Sequence, residues 1–301
     1  MGVVAGVYFL IATAAQAQTS SISISPLTFE LTANPGDKFN NVVKVYNNGT
    51  APVAVAMEVQ NFSPKGERGE VALTTGEDSS YSLASWVSAS PQTFQVEPQS
   101  FQPVEFTVTL PLNAEPGGHY GTILASVRGV TESTGAAISQ KIGALLLLQV
   151  SGTAKESLAI ASMDTPEFSE YGPVIISTRF QNTGTVHLKP RGFVLVQNIF
   201  GREVAKLDLE QKNVLPNSVR RIDTNFNKSL LWGKYTATLT VIYGSANEPL
   251  SYTTSFWVVP WKISLAVLVA ALVILTVLYR ARRRIILALK ILFRGDHIVQ
   301  R

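Results

Sequence analysis

Ser21-Ile22-Ser23-Ile24-Ser25 alternates hydroxyl and branched apolar side chains without a break. Successive side chains of an extended strand point to opposite faces, so both isoleucines fall on one face and the serines on the other. Short runs of the same kind recur at residues 41–46, 53–59, 93–96, 104–110, 120–127 and 142–150, rich in Val, Ile, Thr, Phe and Tyr and broken by Gly, Pro, Asn and Asp. Seven strands at this spacing predict an immunoglobulin-like β-sandwich over residues 18–151. Beyond a polar connector at 151–157, further runs at 158–163, 173–181, 193–197, 204–209, 219–226, 235–243 and 250–258 predict a second sandwich over 152–258.

The two halves echo each other. Val45-Tyr46-Asn47-Asn48-Gly49-Thr50 is matched by Phe180-Gln181-Asn182-Thr183-Gly184-Thr185, and Gly118-His119-Tyr120 by Gly233-Lys234-Tyr235. In the second pair Gly118 and Gly233 are expected to turn a tight corner with positive φ, and each Tyr to start a strand with its ring packed inward.

Residues 263–279 carry no charge and rise about 26 Å as a helix, close to the thickness of a hydrocarbon core. Trp257, Trp261 and Lys262 precede this stretch, and Arg280, Arg282, Arg283 and Arg284 follow it. Aromatic rings and a snorkelling Lys at one boundary, with clustered Arg at the other, predict a stop-transfer helix over 261–279 and a basic cytoplasmic tail over 280–301. Within the tail, residues 285–294 read as a separate basic amphipathic helix lying on an anionic leaflet. At the other end a small apolar stretch leads into Ala15-Gln16-Ala17, so residues 1–17 are expected to be a signal peptide cleaved after Ala17, although no Lys or Arg precedes it. The chain is therefore expected to be a single-pass plasma-membrane protein with an extracellular N-terminal ectodomain, a cytoplasmic C-terminus and membrane lipid as a partner.

The net charge of +4 belongs to that tail, which holds seven basic residues and one acid, Asp296. The exported part is left slightly acidic, with no electrostatic footprint for nucleic acid. With no cysteine, it folds on its apolar cores alone and has neither thiol catalysis nor Cys-ligated zinc. His119, His187 and His297 have no metal-ligand spacing, and no G-x-S-x-G elbow occurs. Gly117-Gly118-His119-Tyr120-Gly121 opens a strand, where a phosphate cradle needs a helix. The expectation is a non-enzyme without metal or cofactor. Residues 61–82 read as the longest loop, with Glu67, Glu70, Glu77 and Asp78 as a solvated edge. Tyr81 and Trp86, at the end of that loop, are candidate ligand contacts, although the setting Leu83-Ala84-Ser85-Trp86-Val87 favours a core-facing Trp86.

Pro26-Leu27-Thr28-Phe29-Glu30-Leu31, Asn34-Pro35-Gly36-Asp37, Ala84-Ser85-Trp86-Val87, Val108-Thr109-Leu110-Pro111 and Glu115-Pro116-Gly117-Gly118-His119-Tyr120-Gly121-Thr122-Ile123 follow one another in an order that resembles the WxL-interacting protein family of Gram-positive surfaces. The resemblance implies two extracellular immunoglobulin-like domains before one transmembrane helix and a basic tail. It also implies peptidoglycan as partner of the first domain, host proteins as partners of the second, and WxL-domain proteins held at the same surface. Trp86 to Val96 with Glu97-Pro98 also resembles the N-terminal domain of periplasmic pilus chaperones, which are soluble and hold a client's carboxylate with basic residues. The function expected is a non-catalytic, membrane-anchored surface protein that binds or scaffolds envelope partners, either peptidoglycan or another cell-surface protein. It would do so through loop contacts or by strand addition at an edge such as Ser21–Ser25. The alternative is a chaperone-like assembly factor for exported surface proteins or pilus subunits.

Overall fold

The computed structural model describes residues 21–74, 81–128, 139–229 and 231–293, with side chains described as far as Arg282. The protein is all-β, two β-sandwiches in tandem followed by one apolar helix. Ala15 and Ala17 lie outside the described residues, as do Glu77, Asp78 and residues 294–301 of the tail.

The first sandwich comprises β1 (Ile22–Ser25), β2 (Thr28–Ala33), β3 (Lys38–Asn47), β4 (Val53–Lys65), β5 (Glu70–Thr74), a 3-10 turn (Ala84–Trp86), β6 (Val87–Ser90), β7 (Thr93–Val96), β8 (Ser100–Thr109), β9 (Gly117–Arg128) and β10 (Ser139–Val150). One sheet runs β1-β3-β8-β6; the other runs β2-β10-β9-β4-β5, with β7 also paired to β4. The alternation read from the sequence explains the packing. Ile22, Ile24, Val43, Val45, Val104, Phe106 and Val108 from the first sheet meet Val53, Val55, Ile123, Ala125, Val127, Leu146 and Leu148 from the second in one buried core. Phe106 is fully buried and takes the Phe29 ring edge-on at 5.0 Å. Each such side chain contributes on the order of 1.5–3 kcal/mol, which lets the sandwich hold without disulfides.

Asn47 and Asn182 carry the echo between the halves. Both are buried, and both use the same bonds. The Asn47 amide donates to the Ala51 and Val96 carbonyls at 2.8 and 3.0 Å, and its Oδ1 accepts from Gly49 N–H at 2.9 Å. The Asn182 amide donates to Val186 and Val214 at 2.8 Å each, and its Oδ1 accepts from Gly184 N–H at 2.8 Å. A buried amide is tolerated because these bonds satisfy it.

The second sandwich comprises β11 (Leu158–Asp164), β12 (Phe168–Ser169), β13 (Val174–Asn182), β14 (Arg191–Asn198), β15 (Glu203–Asp208), β16 (Ser218–Phe226), β17 (Gly233–Tyr243) and β18 (Glu248–Val258). Its sheets are β11-β13-β16 and β12-β18-β17-β14-β15. Phe226, Tyr235 and Phe256 form an aromatic cluster in its core, the last two stacked at 5.7 Å. By packing, the chain falls into two compact units. The first holds the residues through Ala159 together with Phe180–Lys189 and Asn213–Arg220; the second holds Ile160–Arg179, Pro190–Lys212 and everything from Arg221 on.

Three sequence expectations change. Residues 61–82 are not one loop: β4 continues to Lys65, and β5 pairs back on it from Lys65↔Glu70 to Asn61↔Thr74, around a turn with positive φ at Gly66 and Gly69. The positive φ at the first glycine corner belongs to Gly117, at +137°, and not to Gly118. Gly118 serves by lacking a side chain, since a Cβ there would collide with the Tyr120 hydroxyl. At the C-terminus, α1 (Trp261–Phe293) is a single 33-residue helix with no break at the arginines. Arg is a good helix former, so charge closes the apolar span without ending the helix. Trp261–Arg282 is long and apolar enough to cross a membrane. Its Ser264 and Thr276 hydroxyls donate back to the Pro260 and Leu272 carbonyls, at 2.9 and 2.7 Å.

Candidate functional site

The inward set of the first sheet fixes its outward set. In β3, Val43 and Val45 are fully buried, so Asn40, Val42, Lys44 and Tyr46 face out. In β8, Val104, Phe106 and Val108 are buried, so Phe101, Pro103, Glu105 and Thr107 face out. The register sets Tyr46 beside Phe101, Lys44 beside Pro103, Val42 beside Glu105 and Asn40 beside Thr107. Ser23 and Ser25 of β1 flank Tyr46 and Lys44, and Ser90 of β6 flanks Glu105. Four rows on four strands make a platform of roughly 20 by 14 Å from strand geometry.

Its chemistry is mixed and close-set. The Tyr46 and Phe101 rings lie 5.3 Å apart, with Lys44 Nζ 5.1 Å from the centre of the Phe101 ring. Phe101 is 47% exposed and Val42 43%. At one end Thr107 donates to Asn40 Oδ1 at 2.8 Å, and at the other Asn48 donates to Ser23 Oγ at 2.9 Å. Lys44 and Glu105 sit on a diagonal of the ladder, so one patch offers aromatic faces, hydroxyls and both signs of charge. Among the described residues the edges of this sheet are short: β1 and β6 have four residues each and run into Pro26 and Pro91. Short edges next to Pro resist pairing with another strand.

The opposite sheet has a covered outer face. Tyr120 is buried there with Phe62 and Leu147, packed by Tyr81, Leu145 and Leu215. Its hydroxyl lies 3.4 Å from His187 Nδ1. Burial pushes the Tyr120 phenol above its ordinary pKa, the contact with His187 acting the other way. His187 is pushed down, chiefly by burial, against the pull of Glu30. Lys189 Nζ donates to both Glu30 oxygens at 2.6 and 2.8 Å, and Asn213 donates to Oε1 at 2.7 Å. Burial alone would raise Glu30, but these bonds together with the Lys189 charge hold its carboxyl below the usual value.

The candidate ligand contacts Tyr81 and Trp86 are placed apart from the platform. Tyr81 is half-buried against Tyr120, and its hydroxyl accepts from the Asn217 amide at 3.1 Å. Trp86 is half-buried against the core, its ring 4.4 Å from that of His119. Both His119 nitrogens face backbone carbonyls, Ser82 at 3.0 Å and Glu115 at 2.9 Å, so this imidazole pins two loops together. Of the membrane-boundary candidates, Trp257 and Trp261 are exposed, Lys262 pairs with Glu170 at 2.9 Å, and the Arg282 guanidinium lies 4.2 Å from the Tyr279 ring centre. Arg280 is exposed; Arg283 and Arg284 continue the helix.

Sequence reasoning passed over the Tyr46–Phe101 pair. The alternation at 41–46 already placed Tyr46 opposite Val43 and Val45. Its partner was hidden because β8 begins at Ser100, ahead of the expected start at 104. Among the described residues no group of three His, Asp or Glu is placed to hold a metal ion. A shallow cavity of about 280 Å3 in the second unit is lined by Asp164, Ile175, Ser177, Arg179 and Arg221. Its charges answer one another, Arg221 bonding Asp223 at 2.7 Å and Ser177 at 2.9 Å.

No protein-family model and no curated protein matches the chain. Several solved structures are similar to it. A YadV chaperone is 11% identical, covering 78% of this chain and 99% of its own, with a TM-score of 0.40. The SafB chaperone of Salmonella enterica, in a structure with SafA pilin, gives 12%, 79%, 98% and 0.39 in the same order. A PapD-like domain of human CEP192 is 17% identical over 48% of this chain and 95% of its own, with a TM-score of 0.32.

Proposed function

We propose that this is a non-catalytic, membrane-anchored bacterial surface protein whose first sandwich binds a wall polymer of the peptidoglycan class on the open face of the β1-β3-β8-β6 sheet. The pair formed by half-buried Tyr46 and exposed Phe101, capped by Lys44, carries this reading. Aromatic faces stack on the apolar faces of sugar rings. The neighbouring serines, Lys44 and Glu105 suit the hydroxyls, carboxylates and amines of a glycan strand bearing peptides. The resemblance to WxL-interacting proteins points the same way. The short, Pro-bounded edges of this sheet favour binding on its face over the strand addition of a chaperone. In this reading α1 crosses the plasma membrane, the sandwiches lie outside the cell and the arginine-rich tail lies inside.

Co-sedimentation with purified, insoluble wall polymer tests the proposal on detergent-solubilised full-length protein. Wild type is expected in the pellet and the Tyr46→Ala/Phe101→Ala double variant in the supernatant. Equal sedimentation of both, or none of either, overturns it. Capture of an unfolded exported polypeptide with no retention on wall polymer selects the chaperone-like alternative.

A further inference from the structure

The second unit meets α1 with almost no slack. Only Val259 and Pro260 separate β18 from the helix, and neither is loose. Val259 N–H donates to the Ser169 carbonyl at 3.0 Å, Trp261 N–H to Val259 at 2.8 Å, and Ser264 N–H to Pro260 at 2.9 Å. Pro260 is buried, and the Lys262–Glu170 pair ties the first helical turn to the segment after β12. The charge-free stretch 263–279 spans about 26 Å, slightly less than the ~30 Å of hydrocarbon it must cross. A span with no length to spare draws its attached body down to the bilayer surface.

Five large rings are exposed at that end: Phe168, Tyr171, Trp232, Trp257 and Trp261. The register gathers them there. Phe168 pairs with Trp257 and Ser169 with Val258, while Gly233, next to Trp232, also pairs with Val258. Tyr171 follows Ser169 by two residues. Each therefore lies within a few residue steps, at about 3.3 Å per step, of the first helical residue. The interfacial zone reaches roughly 5–8 Å beyond the hydrocarbon on each side. Trp232 is 64% exposed, its backbone N–H donates to the Tyr235 hydroxyl, and among the described residues its indole makes no hydrogen bond.

We propose that the foot of the second unit is a lipid-seating surface: Trp232, Tyr171 and Phe168 join Trp257 and Trp261 in the headgroup–acyl boundary of the phospholipid bilayer that α1 crosses. Indole and phenol rings favour this boundary because one end is apolar and the other hydrogen-bonds to headgroups and water. The collar rests on the membrane-anchor reading. It makes the second unit a plinth standing on the bilayer at a fixed height.

The test reconstitutes the full-length protein into phosphatidylcholine/phosphatidylglycerol vesicles whose acyl chains are brominated near the headgroup, and reads tryptophan quenching. Trp232→Phe is expected to remove roughly a third of the quenched emission, one of three collar indoles. Tyr171→Trp in that background is expected to restore it. Both side chains are exposed, so the variants keep the fold. Protein that resists alkaline extraction yet shows the same quenching with and without Trp232 overturns the collar alone. Protein stripped from the vesicles by alkali overturns the anchor and the collar together.

Discussion

The first sandwich has two outer faces built by the same alternation and finished in opposite ways. Over Tyr120 the face is closed: the ring is buried with Phe62 and Leu147, and His187, Leu215 and Tyr81 lie against it. Over Tyr46 the face is open: half-buried Tyr46 and exposed Phe101 pair on the surface among serines, a lysine and a glutamate. The buried Tyr120 ring fills the closed face, whereas Phe101 leaves nearly half its surface open to solvent. Burial, and not residue type, separates Tyr120 from Tyr46.

Substitutions should divide accordingly. Tyr120→Ala leaves a cavity in the closed face and is expected to destabilise the first unit by about 3–5 kcal/mol, read by chemical denaturation of the full chain in detergent. Tyr46→Ala/Phe101→Ala is expected to cost less than about 1 kcal/mol in the same assay. Its effect should fall on wall-polymer affinity, lowered roughly tenfold or more, as the loss of two stacking faces implies. A double variant that unfolds as readily as Tyr120→Ala would erase the distinction.

The closed face should also weaken with acid. His187 and Glu30 both have lowered pKa values in the fold, so the unfolded chain takes up their protons first. Stability is then full above the ordinary histidine value of 6.5 and falls as pH drops below it, with a second loss below 4.5 as Glu30 is protonated. Melting temperature against pH should show the upper step in wild type and lose it in His187→Gln. The smallest effect belongs to the open face: Lys44→Met removes an exposed cation–π contact and should change polymer affinity by about 0.5–1 kcal/mol, with the melting temperature unmoved.

Much of this was legible in the sequence because strict alternation determines which side chains turn inward. Ser21 to Ser25 was read as an edge strand with its serines outward, and β1 is that edge. The Asn47 and Asn182 turns echo each other in sequence, and their hydrogen bonds repeat the same pattern. The misses have physical causes. β2 pairs in parallel with β10, Thr28 against Leu145, and no local pattern announces a partner so far along the chain. β5 was lost in a run rich in Gly and Glu whose turn glycines looked like loop. Sequence position does not report burial: Tyr81 is half-buried against Tyr120, while Trp86 packs against the core, as its setting between Leu83 and Val87 suggests. The open platform was half visible in β3; the other half lay in β8 beyond the expected strand start.

The most direct test is hydrogen–deuterium exchange on the full-length protein with and without a soluble wall-polymer fragment. Binding on the open face predicts slowed exchange concentrated in Lys38–Asn47 and Ser100–Thr109, with the amides around Tyr120 unchanged. Slowed exchange confined to β1 or β5, as an added strand would produce, or none in the first sandwich, contradicts the account.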